Sequence, residues 1–252
     1  MSSDYIVGII PARYASTRLP AKALVDICGK PMVQRVYEQA KKSRLLSRVI
    51  VATDDERIEE VVRQFGGDVM MTPATCTSGS DRCAVAAQAI DADLIVNIQG
   101  DEPLIPPSMI DEAIQPLIDN QTIPMGTIVR PITLPEELCD PAVVKVVMDR
   151  NGFALYFSRS VIPFVRDVPE KAQWTDHCRF YKHFGLYIFR KEFLLHYSAL
   201  PETELEKAES LEQLRVLENG YKIRVVVTLD DSIAVDTADD LLRVVDIIKG
   251  QV

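Results

Sequence analysis

Residues 5–22 read YIVGIIPARYASTRLPAK, and this stretch decides the fold. Tyr5–Ile10 is an uninterrupted apolar run rich in β-branched residues, the composition of a strand buried on both faces. It runs straight into a loop that carries Arg13, Arg18 and Lys22, two hydroxyls, Ser16 and Thr17, and the turn-formers Pro11 and Pro20. A cationic loop at the C-terminal end of an opening parallel strand is where an open α/β sheet binds its ligand. Forked guanidinium donors with a lysine point charge suit a polyphosphate, so the loop reads as a nucleoside-triphosphate clamp. It contains no glycine, so it is neither a GxxxxGK[ST] nor a GxGxxG element.

The pattern beyond the loop extends the same architecture. Pro31 opens a helix with an apolar stripe at Val33, Val36, Tyr37 and Ala40, and Arg48–Ala52 is the next strand. Thr53–Glu56 reads as a cap with an acidic first turn, before a helix carrying Ile58, Val61, Val62 and Phe65 that Gly66-Gly67 stop. Further strands are expected at 68–71, 93–98 and 126–130, with helices between them. Strands alternating with helices of this length indicate a mostly parallel, doubly wound sheet. From about residue 131 the alternation breaks. Strands at 143–148 and 153–157 form a hairpin about Asn151-Gly152, and a long irregular stretch, 158–179, carries Trp174. A strand at 181–189 holds His183; a helix is expected over 210–215, a strand over 222–228, and a last helix after Val235-Asp236-Thr237. The expected organisation is one α/β domain with a β-rich insertion in its second half. Its parts divide at about residue 130 and about residue 225, leaving a closing segment over 226–252.

Composition narrows the function classes. The 252 residues carry a net charge of −9, which repels nucleic acids and anionic membranes at long range. Against that background residues 11–30 hold Arg13, Arg18, Lys22 and Lys30 with only Asp26 opposed, a patch scaled to a small anion. Aromatic residues make up 7%, leaving few stacking platforms for single strands. Five scattered cysteines with no CxxC pair point to reduced thiols rather than to zinc or redox chemistry. The beginning MSSDY has no basic, apolar signal core, and a cytoplasmic location is expected.

Two acidic residues stand out. Asp101, in the turn Gln99-Gly100-Asp101-Glu102-Pro103 after an apolar strand, is placed to hold a hard cation such as Mg²⁺ or simply to face solvent. Asp236 is either an N-cap of the last helix or a second carboxylate for the same metal. The segment Thr77–Arg82 opens a helix whose free N–H groups can meet polar ligand edges or be ordinarily capped.

The ordered motifs PARYASTRLPAK, ATDDE, SGSDR, NIQGDEP, KVV, ALYFSRS, HFGLY, LEQLRVLENG and VDT resemble the 3-deoxy-manno-octulosonate (Kdo) cytidylyltransferase family over nearly the whole chain. The resemblance implies a nucleotide-diphospho-sugar-transferase type of fold, usually as a homodimer, with a nucleotide-binding part to about 130, a sugar-binding and dimerisation part over about 131–225 and a closing segment over 226–252. It implies transfer of CMP from CTP to Kdo with Mg²⁺ and release of diphosphate, for lipopolysaccharide synthesis. By motif, Arg13 and Lys22 would grip the triphosphate, and Ala12, Ser16, Ser78, Gly79, Ser80, Arg82 and Gln99 would complete the nucleotide site. Asp101 and Asp236 would hold the metal, and with Arg13 and Lys22 make the catalytic set. Tyr156, Ser158, Arg159, His183, Glu212 and Gln213 would line the sugar site, with Arg159 on the sugar carboxylate. Alanine at 21, where the family commonly has glycine, would be strained if that position needs positive φ. Activation of 8-amino-Kdo or sialic acid, or a nucleotide-binding regulator without turnover, stay open as alternatives.

Overall fold

A computed structural model describes residues 4–15 and 19–250, and its chain divides into two units. The first comprises Met1–Asp111, Phe189–Ser198 and Asp231–Val252; the second comprises Glu112–Ile188 and Ala199–Asp230. The class is α/β with a mostly parallel sheet and helices, as the alternation of apolar periods requires.

In the first unit four parallel strands lie in the order Leu94–Asn97, Ile6–Ala12, Arg48–Thr53 and Val69–Met71. The opening strand is central, and Ile6, Val7, Ile9 and Ile10 are buried on both faces. Helix Met32–Ala40 turns Val33, Val36, Tyr37 and Ala40 inward, the stripe its periodicity gives. Helix Glu56–Gln64 starts at Asp55, whose side chain accepts from the Arg57 amide. The C-terminal helix Ala238–Ile248 closes this unit. Its Val244, together with Ile27, Met32 and Val235, makes a buried cluster against which Leu19, Leu104, Leu241 and Val245 pack. Chain ends far apart in sequence thus share one core beneath the basic loop. Asp236 is not the cap of this helix: Thr237 is, in a reciprocal box with Asp240.

In the second unit strand Met125–Pro131 runs parallel to Ile223–Val227. Lys145–Met148 and Ala154–Ser158 pair antiparallel, about a turn in which Gly152 takes φ 76°. The 158–179 stretch is tied down by Trp174, buried with Ile132, Leu138 and Phe180, its indole N–H donating to Val168 O at 2.8 Å. The helix expected over 210–215 is not formed as such. Helix Glu204–Glu209 precedes it, Ser210 takes the left-handed conformation (φ 52°), and a new helix begins at Leu214. At the start of the earlier helix the Thr203 amide donates to Glu206 Oε2 at 3.2 Å, and the left-handed Ser210 ends the helix.

Candidate active site

Strand Ile6–Ala12 ends at the loop, with Ala12 buried and Arg13 exposed. Two other segments close on the same strand end. A Cβ on Gly79 would lie 3.3 Å from the Pro11 ring, and one on Gly100 would lie 2.9 Å from Pro11 O. The second approach leaves no room for a side chain at 100, so glycine there lets the QGDEP turn lie against the strand end. Tyr14 is anchored from outside by the Arg57 guanidinium stacked on its ring, and Arg57 is itself forked onto Asp55.

Ala21 takes φ 52° and ψ 32°, the left-handed region, and Lys22 follows in a single tight turn, Lys22–Leu24. The positive φ turns the chain so that the Lys22 ammonium meets Asp101 Oδ2 at 2.6 Å and Asp236 Oδ1 at 2.8 Å. The main chain braces the pair, because the Val235 amide donates to Asp101 O at 2.9 Å. Two carboxylates 135 positions apart thus converge on one cation. Their hard oxygen donors on one cation suit Mg²⁺, which takes one or two carboxylates and completes its shell with water and phosphate. Among the described residues no group of three or more His, Cys, Asp and Glu could hold a metal, so the substrate would have to supply the remaining oxygens.

The other nucleotide-side residues are fixed differently. Ser78 caps helix Gly79–Gln88 and Asp81 answers with a bond to the Ser78 amide. Ser80 is buried and its hydroxyl meets Asn97 Nδ2 at 3.4 Å, while Asn97 Oδ1 is buried with no partner. Arg82 is buried, donates to Thr72 Oγ1 at 2.5 Å and pairs with Asp54 at 3.3 Å. Gln99 is half-buried. Ser16 lies outside the described residues.

In the second unit, strand Ala154–Ser158 brings Tyr156 and Ser158 to one face by its period of two. Ser158 Oγ donates to Glu209 Oε1 at 2.6 Å, and the Arg159 amide donates to Glu209 Oε2 at 2.9 Å. The Arg159 guanidinium donates to the carbonyls of Glu209 (2.7 Å), Pro141 (3.0 Å) and Ser210 (3.4 Å). Three of its five N–H groups are thereby engaged, and two remain for a ligand. His183 Nε2 is 2.9 Å from Thr127 Oγ1, and its ring packs against Phe157 and Tyr187. The Tyr187 hydroxyl donates to Gln213 Oε1 at 3.0 Å, and Gln213 Nε2 is buried without a partner. Glu212 is half-buried. Arg215 is buried on Glu206, with bonds of 2.7 and 2.5 Å, and is a structural member of LEQLR rather than a polar residue awaiting a ligand.

A family model described as cytidylyltransferase matches residues 7–223. A 3-deoxy-manno-octulosonate cytidylyltransferase of Geobacter metallireducens is 58% identical over 245 residues, 96% of each chain. One of Geobacter sulfurreducens is 53% identical, covering 97% of this chain and 99% of its own. The chain belongs to the 3-deoxy-manno-octulosonate cytidylyltransferase family. A solved structure of CMP:2-keto-3-deoxy-manno-octonic acid synthetase in complex with CTP is 40% identical, covers 98% of this chain and all of its own, and superposes with a TM-score of 0.91. The 4-diphosphocytidyl-2C-methyl-D-erythritol synthase of Anaerococcus prevotii, at 12% identity and a TM-score of 0.63, shares the fold alone.

Within this cytidylyltransferase geometry picks out four residues to which the motifs assign no role: Thr127 and Glu209, which lie outside them, and Lys145 and Tyr187, which lie within KVV and HFGLY. Lys145 is fully buried, and its ammonium donates to the carbonyls of Asp140, Val143 and Arg159 at 2.9, 2.6 and 2.6 Å. Burial lowers its pKa from the ordinary lysine value. A lysine opening the apolar strand KVVM was the available signal, since a charge at a core position needs a polar reason.

Proposed function

We propose that this protein joins CMP, taken from CTP, to the anomeric hydroxyl of 3-deoxy-manno-octulosonate and releases diphosphate. The sugar oxygen forms a bond to the α-phosphorus, the bond from that phosphorus to the α–β bridging oxygen breaks, and the hydroxyl proton is lost. Such a displacement needs neutralised charge and in-line positioning more than a covalent nucleophile. The reading is carried by the convergence of Lys22, Asp101 and Asp236 on one point in a chain kin over its full length to enzymes of this name.

In this reading Arg13 and Lys22 bind the triphosphate, the 78–82 turn with Ala12 and Gln99 surrounds the cytidine, and Ser16 is a further nucleotide-binding residue. Asp101 and Asp236 would hold Mg²⁺, which supplies charge neutralisation at the phosphoryl oxygens. The residues from the second unit, Tyr156, Ser158, Arg159, His183, Glu212 and Gln213, bind the sugar. The two unengaged N–H groups of Arg159 are the fork for its carboxylate. Ser80 and Arg82, whose polar groups are already bonded inside the fold, shape the nucleotide pocket by fixing the helix start.

Five free thiols fit a cytoplasmic location, as does a family whose product feeds lipopolysaccharide synthesis, and a homodimer is the state the family resemblance implies. Among the described residues no helix is long and apolar enough to cross a membrane. Light scattering on the purified protein reads the oligomeric state directly. The function is tested by incubating the protein with each nucleoside triphosphate, Mg²⁺, and Kdo, 8-amino-Kdo, sialic acid or a sugar phosphate, and measuring diphosphate. Release with CTP and Kdo is expected; release with UTP and a sugar phosphate, or none with any pair, overturns the reading.

A further inference from the structure

Arg159 is held from two sides, and the residues that hold it belong to no recognised motif role. On one side is Glu209, the last residue of helix Glu204–Glu209. Its carboxylate takes the Ser158 hydroxyl on one oxygen and the Arg159 amide on the other, and its carbonyl takes Arg159 Nε. Tyr156 faces the same carboxylate, and burial together with that negative charge raises the phenol pKa. On the other side is Lys145, whose ammonium clamps Arg159 O and, with it, the carbonyls of Asp140 and Val143. Pro141, between those two, accepts from Arg159 Nη1.

The helix that presents Glu209 is itself immobilised. Its start is tied by the Thr203 amide, which donates to Glu206 Oε2 at 3.2 Å, and Glu206 is gripped by the buried Arg215, which also donates to Leu200 O at 3.2 Å. Its end is fixed by the left-handed Ser210, which sends the chain on toward Glu212 and Gln213. Glu209 therefore bears on three residues of the sugar site: its carboxylate fixes the Ser158 side chain and the Arg159 main chain and faces Tyr156, while its carbonyl takes the Arg159 side chain, and the same short segment leads directly to two more.

We propose that Glu209 is the positioning residue of the sugar site, holding Tyr156, Ser158 and Arg159 in the arrangement that meets the keto-acid sugar, with Lys145 as the counter-clamp on the Arg159 carbonyl. The proposal rests on the functional reading above. Glu209 does not touch the sugar; it acts through the strand end it binds. Both carboxylate oxygens are used, so the isosteric amide is a sharp probe. Glutamine offers one acceptor oxygen and an NH₂ that opposes either the Ser158 hydroxyl or the Arg159 amide.

The test is steady-state kinetics of the full-length protein with CTP and Kdo varied separately, for the natural protein and for Glu209→Gln. The expected result is a rise of about tenfold or more in KM for Kdo, with KM for CTP within about twofold, because misplacing a preorganised polar group weakens only the ligand it meets. A general loss of folding would move both constants and the melting temperature together. An unchanged KM for Kdo in Glu209→Gln overturns the positioning role while leaving the function intact. If Glu209→Gln does not fold, Glu209→Asp, which keeps the charge and shortens its reach, carries the same expectation and the same refutation. Absence of diphosphate release from the natural protein with CTP and Kdo would instead overturn the functional reading, and the positioning role with it.

Discussion

Acidification should unfold this protein partly through one imidazole. Burial pushes the His183 imidazolium from the ordinary 6.5 down to about 3. The ring is packed edge-on to Phe157 at 5.0 Å and against Tyr187 at 5.4 Å, with Nε2 on Thr127. Thr127 is fully buried and its hydroxyl lies 2.8 Å from Leu186 O. A hydroxyl has one proton, and that proton goes to the carbonyl, so Nε2–H must donate to Thr127 and Nδ1 is left as an acceptor. The network therefore assigns the neutral ring protonated on Nε2. The folded pKa lies below the unfolded one, so between them only the unfolded chain binds the proton. The contribution is fully present above pH 6.5 and is lost as pH falls toward 3. At pH 5 the loss is about 2 kcal/mol, from 1.36 kcal/mol per unit over the interval below 6.5. That figure depends on the unfolded value alone as long as the folded one stays well under 5. Against a typical stability of roughly 5–15 kcal/mol it is a large fraction.

Urea unfolding at pH 7.5 and pH 5.0, for the natural protein and for His183→Gln, isolates the effect, because the carboxylate contributions cancel in the difference. The natural protein should lose about 2 kcal/mol more than the variant between the two pH values. Equal losses would refute the buried neutral ring, as would an imidazole that titrates near 6.5 in the folded protein by NMR. The catalytic consequence follows from the same charge state. A neutral Nδ1 can accept a sugar hydroxyl at any working pH, so neither limb of the pH profile of kcat/KM for Kdo should belong to His183.

Asp101→Asn and Asp236→Asn should each lower turnover by on the order of a hundredfold or more. Lys22 keeps one carboxylate partner in either variant, so calorimetric melting temperatures should move by no more than about 4 °C; collapse of the fold would mark that carboxylate as structural. Ala21→Gly should stabilise the protein by about 0.5–1 kcal/mol in denaturant titration, since relief of the left-handed strain at φ 52° outweighs the entropy that glycine adds to the unfolded chain; a destabilised variant would count against the strain. Arg215→Met should cost about 3–5 kcal/mol by leaving Glu206 buried without its partner, and the double variant with Glu206→Met should recover most of it. Strict additivity of the two single changes would show that the pair is not coupled.

What the sequence made legible is what depends on local period and local chemistry. The Tyr5–Ile10 run, the Val33-Val36-Tyr37-Ala40 stripe and the Asn-Gly turn each specify their element without help from elsewhere, and each is found. The LEQLR segment failed as a single helix because its course is set by neighbours: the Glu206–Arg215 ion pair spans the break, and Ser210 adopts a conformation that no propensity favours. Asp236 shows the limit most clearly. In sequence, Asp236 and Thr237 are both good caps, and nothing local chooses between them. The box with Asp240 chooses Thr237, three residues upstream of its partner, and that choice leaves the Asp236 carboxylate to the Lys22 ammonium. Glu209, and the role though not the presence of Lys145, were illegible for a related reason. Most of their bonds are to main-chain atoms, the Arg159 amide and three carbonyls, which every residue possesses and no motif records. A motif read from side chains therefore finds the groups a substrate would touch and passes over the groups that aim them, which only the folded backbone identifies.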